Sequence, residues 1–200
     1  MTMAPTVTLA SQSAIRAELL RNAGVAFETA SAGVDEDALK AGLLAEGVPP
    51  RDIADALAEA KAVKVSRKRP GLVIGADSTM ELAGQLYDKP ASLDEARAHL
   101  LAMRGQVHRL HSAAVIAESG APVWRHVSTV KLTLRAFSDD LLDRYIASEG
   151  DTLLTSVGCY RFEGLGAQLF SQVEGDYFSI LGLPLLQVLD FLRVREALTA

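Results

Sequence analysis

TVTLASQSAIRAELLRNAG, residues 6–24, is the stretch whose reading decides the fold. Thr6 to Ala10 is short and β-prone. After it, Ile15, Leu19, Leu20 and Ala23 fall at helical spacing. Ser11 or Ser13 can cap that helix, and Gly24 can end it. The stretch therefore reads strand, tight turn, helix.

Working outward, residues 35–46 and 51–64 read as helices separated by Gly47, Pro49 and Pro50. Gly71 to Asp77 (GLVIGAD) reads as a buried strand that delivers Asp77 to its end. A serine cap, early acids and Arg104 before Gly105 mark a helix over 92–104. Two strands, 107–117 and 123–136, flank the turn ESGAP, and Ser138 to Glu149 is another capped helix. From Ser156 to Pro184 glycines are dense, with strand-like pieces between them, and Pro184 to Leu198 closes the chain as a helix. Alternating strands and helices predict an α/β fold with a mixed sheet, and no flexible linker interrupts residues 1–200, so a single domain is expected.

Composition narrows the function. The chain has 200 residues, 49% of them apolar, and a net charge of −5. That balance argues against coating a nucleic acid through broad charge neutralisation. One cysteine, Cys159, permits neither an internal disulfide nor a multi-cysteine zinc site, and it has no clear histidine partner in the sequence. No stretch reaches the roughly 18 apolar residues of a membrane span, and the first residues do not resemble a secretory signal. A cytoplasmic protein is expected.

Five groups of residues could carry chemistry. Ser11, Ser13 and Arg16 sit where a strand meets a helix N-terminus, a place that attracts anions. An arginine there can fork two phosphate oxygens, although the same spacing suits an ordinary cap with a surface arginine. Asp77, in Gly75-Ala76-Asp77-Ser78-Thr79, could orient a water, accept its proton or hold a divalent metal; it could also be a turn aspartate. Lys89 lies a short hairpin away and could neutralise a polyphosphate. Lys61 could do the same, but it begins a basic run through Lys64, Arg67, Lys68 and Arg69 that reads first as a solvated helix end. Glu36 is a helix-start acid that would need Asp77 nearby to hold a metal. Glu163, between Gly158, Gly164 and Gly166, accepts hydrogen bonds only and could read the two adjacent N–H donors of guanine.

Together these pieces resemble the Maf family of nucleotide pyrophosphatases. The resemblance is carried by LASQSAIRAELL at 9–20, AEAKA at 58–62, GADST at 75–79, DKP at 88–90, EGLGAQLF at 163–170 and EGDYFSILGLPL at 174–185. It implies a mixed twisted sheet flanked by helices, with a deep cleft between two lobes, in proteins often found as homodimers. It implies hydrolysis of a nucleoside triphosphate to a monophosphate and pyrophosphate, with Mg²⁺ or Mn²⁺ as cofactor. Asp77 falls on the proposed proton acceptor. Ser11, Arg16, Lys61 and Lys89 fall on phosphate-contacting positions, with Ser13 beside them, and Glu36 falls on the second acidic position, shared with Asp77 around the metal.

The sequence also departs from the commonest family pattern. Ala14 and Ile15 stand where the motif S-x-S-P-R-R has proline and its first arginine. Ser78 and Glu163 stand where the dTTP/UTP branch has threonine and glutamine. Glu163 looks more like the branch acting on 7-methyl-GTP, whereas Ile15 supplies no aromatic face to stack on a cationic methylated base; a guanine-type or other modified nucleotide is the expected substrate. A competing expectation is a nucleotide-binding regulator of septum formation without significant turnover. Asp77 weighs against it, because a carboxylate facing a polyphosphate weakens binding unless a metal intervenes.

Overall fold

The computed structural model describes residues 5–199. Seven strands form one open mixed sheet, in the order β2-β1-β3-β5-β6-β7 with β4 paired to β3. They are β1 (Val7–Leu9), β2 (Glu28–Thr29), β3 (Leu72–Leu82), β4 (Gln85–Tyr87), β5 (Val107–Glu118), β6 (Ala121–Leu134) and β7 (Phe170–Glu174). Among the described residues the α-helices are α1 (Ala14–Asn22), α2 (Glu36–Ala45), α3 (Pro50–Ser66), α4 (Leu93–Met103), α5 (Asp139–Glu149), α6 (Tyr177–Ile180) and α7 (Leu185–Val194). The mixed α/β class expected from the sequence is the one observed. Among the described residues no helix is long and apolar enough to cross a membrane.

The chain divides into two compact units. The first holds residues up to Ser78, Ser112–Ser128 and Asp176 onward. Here β1 runs parallel to β2 and to β3, with Val7 opposite Leu72 and Leu9 opposite Ile74. Alternation sends successive side chains of a strand to opposite faces. Leu72, Ile74 and Ala76 of β3, with Ala114 and Ile116 of β5, pack against Leu20 of α1 and against Val188 and Leu192 of α7. Ala113, Val115 and Ala117 of β5 turn the other way, onto Ala54, Ala58 and Ala62 of α3. Those three alanines recur every fourth residue, so α3 offers a stripe of methyl groups and approaches the sheet closely. Gly75 permits that approach: a Cβ there would lie 2.1 Å from the Ala58 carbonyl oxygen and 2.6 Å from the Ala62 nitrogen.

The second unit holds residues 79–111 and 129–175. The tail of β3 pairs antiparallel with β4 through Met80–Tyr87 and Leu82–Gln85, and β6 pairs antiparallel with β7. The glycine-dense stretch contributes one strand, β7; the strand-like pieces expected before it are instead irregular turns and one 3-10 turn, 165–169, and a further 3-10 turn, 150–155, precedes the stretch. Two of its glycines sit where no side chain fits. A Cβ on Gly158 would meet the Tyr160 ring at 2.2 Å, and one on Gly166 the Arg161 carbonyl oxygen at 2.4 Å. Tyr160 in turn packs edge-on against Phe170, with 4.9 Å between ring centroids.

His108 is buried beside these rings, its Nε2 2.9 Å from the Tyr160 hydroxyl, while Nδ1 has no partner among the described residues. Burial pushes its pKa down to about 4, because the charged imidazolium would lose its hydration there. The unfolded chain binds that proton near pH 6.5 and the folded chain does not. Full stability is therefore expected above pH 6.5, with a loss of up to about 3 kcal/mol as pH falls towards 4. Denaturant unfolding at pH 7, 5.5 and 4.5 measures it. The slope should flatten in His108→Gln; an equal slope in the variant contradicts the assignment.

Candidate active site

The first turn of α1 begins where β1 ends. Of the two candidate caps, Ser13 takes the role, its Oγ accepting from the Arg16 nitrogen at 3.4 Å. Ser11 Oγ accepts from the Ser13 nitrogen at 3.2 Å, so both hydroxyls fold back on the turn. Ile15 lies half-buried in the same turn.

Asp77 does not end its strand. The sequence reading stopped β3 at Asp77, whereas it continues to Leu82 because Thr79 and Met80 are buried and Met80 to Leu82 pair with β4. Asp77 therefore lies mid-strand, with paired backbone before it at Leu72–Ile74 and after it at Met80–Leu82. Its neighbours Ala76 and Ser78 project from one face of the sheet and Asp77 from the other, as β alternation requires.

On the Asp77 side stands Lys61. It is not a solvated helix end: its side chain is only 8% exposed. Its Nζ lies 2.6 Å from Asp77 Oδ1 and 2.9 Å from Glu36 Oε2. The basic run splits at this point. Lys61 turns inward beside Ala58 and Ala62, while Arg67, Lys68 and Arg69 are exposed just past the end of α3. Glu36 reaches Lys61 from the first position of α2, whose cap is Asp35. One ammonium thus gathers two carboxylates from different elements. Burying a lone charge costs several kcal/mol, so this cluster holds only while its partners are paired.

On the opposite side stands Arg16. Its Nη1 donates to the Ala76 carbonyl at 2.9 Å and to Ser11 Oγ at 3.3 Å, Nη2 donates to Ser78 Oγ at 3.1 Å, and Nε donates to the Gly182 carbonyl at 2.8 Å. Four of the five N–H groups are thus engaged with the protein. The Ala76 bond has a simple origin. The Ala10 nitrogen bonds the Ile74 carbonyl, and β1 has ended one residue earlier. The next carbonyl on the same edge of β3 is that of Ala76, and Arg16 supplies the donor that β1 no longer can. Desolvation lowers the Arg16 pKa, while the charges of Asp77 and Glu36 act to raise it. A guanidinium stays protonated under such opposing influences. Gly182 makes room for this side chain. Its φ is +94°, and a Cβ there would lie 3.2 Å from Arg16 Nε.

In the second unit, Lys89 is exposed just after β4. Glu163 accepts from Arg161 Nε at 3.1 Å, and Arg161 Nη1 also reaches Glu149 at 3.2 Å. Cys159 is buried with His99 Nδ1 3.5 Å from its Sγ, a partner invisible in the sequence because 60 residues separate the two. Burial pushes that thiol up to about 12, so it carries no thiolate near neutral pH. Among the described residues no group of three or more His, Cys, Asp or Glu could hold a metal ion; Asp77 and Glu36 form a pair of carboxylates gathered on Lys61.

Sequence reasoning missed Ser112. It is fully buried on β5, 3.0 Å from Ser78 Oγ, and donates to the Ser179 carbonyl at 2.7 Å. The available signal was a hydroxyl at the head of an otherwise apolar run, SAAVIA at 112–117.

The family model described as "Maf-like protein" matches residues 6–195, and the chain belongs to the Maf family. A nucleoside triphosphate pyrophosphatase of Caulobacter vibrioides is 67% identical over 193 residues, spanning 96% of this chain and 97% of that protein. One of Hyphomonas neptunium is 50% identical, spanning 98% and 99%. A protein of Rhizobium meliloti named 7-methyl-GTP pyrophosphatase is also 50% identical, spanning 99% and 100%.

Proposed function

We propose that the chain is a nucleoside triphosphate pyrophosphatase that cleaves between the α and β phosphates, and that it prefers a 7-methyl-GTP-like or other modified nucleotide over dTTP or UTP. The observation that supports the activity most directly is the convergence of Asp77 and Glu36 on Lys61. Two carboxylates beside a buried cation suit a substrate that brings its own negative charge and a metal ion.

The donor chemistry fits Mg²⁺ or Mn²⁺. Both are hard cations that take one or two carboxylates, keep several waters and share the remaining positions with phosphate oxygens. Asp77 and Glu36 would hold the ion. Bound there, it supplies charge neutralisation at the phosphoryl group and lowers the pKa of a coordinated water.

The remaining work falls to this chain's own residues. Asp77 is fixed mid-strand, so it can orient the attacking water and accept its proton with little reorganisation. Lys61 can turn its ammonium from the carboxylates to a phosphate oxygen when the substrate's charge arrives. Ser11 and Lys89 are the further phosphate contacts that the family resemblance assigns, Ser13 in the turn with Ser11 is a further substrate-binding hydroxyl, and Arg16 has one N–H left for the same purpose. Phosphoryl transfer depends on positioning and charge stabilisation, so no covalent nucleophile is needed.

Base preference rests on Glu163. Its carboxylate accepts only, and guanine offers two adjacent donors where uracil and thymine offer one. The Rhizobium meliloti relative supports the same reading through its name.

A pyrophosphate-release assay over standard, methylated and deaminated nucleoside triphosphates, with and without Mg²⁺, tests both levels. Metal-dependent release is expected, fastest on a guanine-type substrate. Tight nucleotide binding without release would instead favour a regulator. Glu163→Gln is expected to shift the ratio of kcat/KM between guanine and pyrimidine substrates by about tenfold or more, a single-hydrogen-bond effect, with smaller change in the best kcat. Unchanged ratios remove Glu163 from base recognition.

A further inference from the structure

The hydroxyls behind Asp77 form a chain whose direction is fixed by its two ends. An arginine N–H can only donate, so Ser78 Oγ accepts from Arg16 Nη2 at 3.1 Å. A carbonyl can only accept, so the Ser112 hydroxyl spends its proton on the Ser179 oxygen at 2.7 Å. Between them, 3.0 Å apart, only Ser78 has a proton left to give, and it gives it to Ser112 Oγ. The chain therefore runs Arg16 to Ser78 to Ser112 to the backbone of α6.

Its members meet β3 on either side of Asp77. Arg16 bonds the Ala76 carbonyl and the Ser78 hydroxyl, and Ser112 anchors Ser78 from β5. Ser112 is 0% exposed, so no substrate reaches it. From this geometry we infer that Ser112 is a positioning residue for Asp77, acting through Ser78. The inference rests on the pyrophosphatase reading for its effect on turnover, but not for its effect on the strand.

The physical argument is one of tolerance. A carboxylate that must orient a water holds its rate only within about half an ångström, and a misplacement near 1 Å costs up to about a hundredfold. Without Ser112 Oγ, Ser78 loses its acceptor and the Ser179 carbonyl keeps the Gly182 N–H at 3.1 Å but loses its side-chain donor. Ser78 is then free to take another rotamer, and the Arg16 clasp slackens on one side of Asp77. Ser11 and Gly182 still hold Arg16, so the change is local.

The test uses the full chain with Ser112→Ala, Ser78→Ala, the double variant and Ser112→Thr. Ser112→Ala is expected to lower kcat about tenfold or more with KM within twofold of the parent. Ser78→Ala should do the same. The double variant should be no slower than the slower single one, because both break one chain. Ser112→Thr, which keeps the hydroxyl, should recover most of the rate. Amide hydrogen exchange of residues 72–80 provides a readout that needs no turnover, and Ser112→Ala should speed it. A kcat within twofold of the parent, losses that multiply in the double variant, or unchanged exchange overturns the inference, whatever the melting temperature does. If Ser112→Ala does not fold, the kcat and exchange of Ser78→Ala decide by the same criteria. A parent chain with no pyrophosphatase activity refutes the functional reading instead, and exchange then decides the positioning role alone.

Discussion

Asp77→Asn is expected to lower kcat at least about a thousandfold while leaving a folded protein. The amide keeps the shape of the side chain but cannot accept a proton, and it is a poor ligand for a hard divalent cation. Both roles open to Asp77 are lost together, so the effect exceeds that of removing one hydrogen bond. The fold survives because Lys61 keeps Glu36 at 2.9 Å and is not left alone in a buried place. Its side chain is 8% exposed, and that of Glu36 is 47% exposed, so the remaining pair can also draw on water. The melting temperature should stay within a few degrees of the parent. Pyrophosphate release at saturating Mg²⁺ and thermal unfolding measure the two sides. Turnover within tenfold of the parent would remove Asp77 from the chemistry.

Gly75→Ala is the second large effect, and it acts through packing. The added methyl would sit 2.1 Å from the Ala58 carbonyl oxygen, 2.6 Å from the Ala62 nitrogen and 2.9 Å from the Ala62 Cβ. All three belong to one turn of α3, and two are backbone, so no side chain can rotate away. Either α3 lifts off the sheet or the strand buckles. Overpacking of this kind costs about 3 kcal/mol, which for a chain of this size is a fall of roughly 10 °C in Tm. The site suffers as well, because α3 carries Lys61 and the shift draws its ammonium away from Asp77. A loss of kcat in the fraction that remains folded should therefore accompany the loss of stability. Unchanged thermal unfolding would contradict the close helix–strand approach.

These two residues show what the sequence could and could not disclose. Gly75 beside Ala76 leaves open space at the strand, but the sequence does not say which element fills it. The answer lay in Ala54, Ala58 and Ala62, whose spacing is visible once α3 is known to lie on the sheet. Lys61 was hidden by its neighbours. Four further basic residues follow it, and a charge run reads as solvated. Only the helical phase, which sets Lys61 beside the alanine stripe, turns it inward. The longer elements were legible because caps and periodicity agreed, as at Ser92, Ser138 and Gly150. β2, two residues long, carries no periodicity and exists through its pairing with β1, and α6, four residues long, is a single Asp176-capped turn too short to show any. The end of β3 was misplaced for a related reason. A polar Asp77 looks like a terminus until its paired continuation through Met80 is known.

Arg16 carries a further lesson. The motif places an arginine at a helix N-terminus, where an anion is the natural partner. The structure gives most of its donors to the protein, bridging positions 11, 76, 78 and 182. No local pattern announces a contact across 166 residues. Ser112 is similar: its role appears only when β5 is laid beside β3.

The central claim is that the chain splits a nucleoside triphosphate at its inner anhydride using the Asp77 centre. Phosphorus NMR of a guanine-type triphosphate incubated with the protein and Mg²⁺ tests it most directly. The account requires monophosphate and pyrophosphate to form in equal amounts, at a rate that vanishes with chelator and with Asp77→Asn. A diphosphate with orthophosphate, or no change in the triphosphate signals, would contradict it.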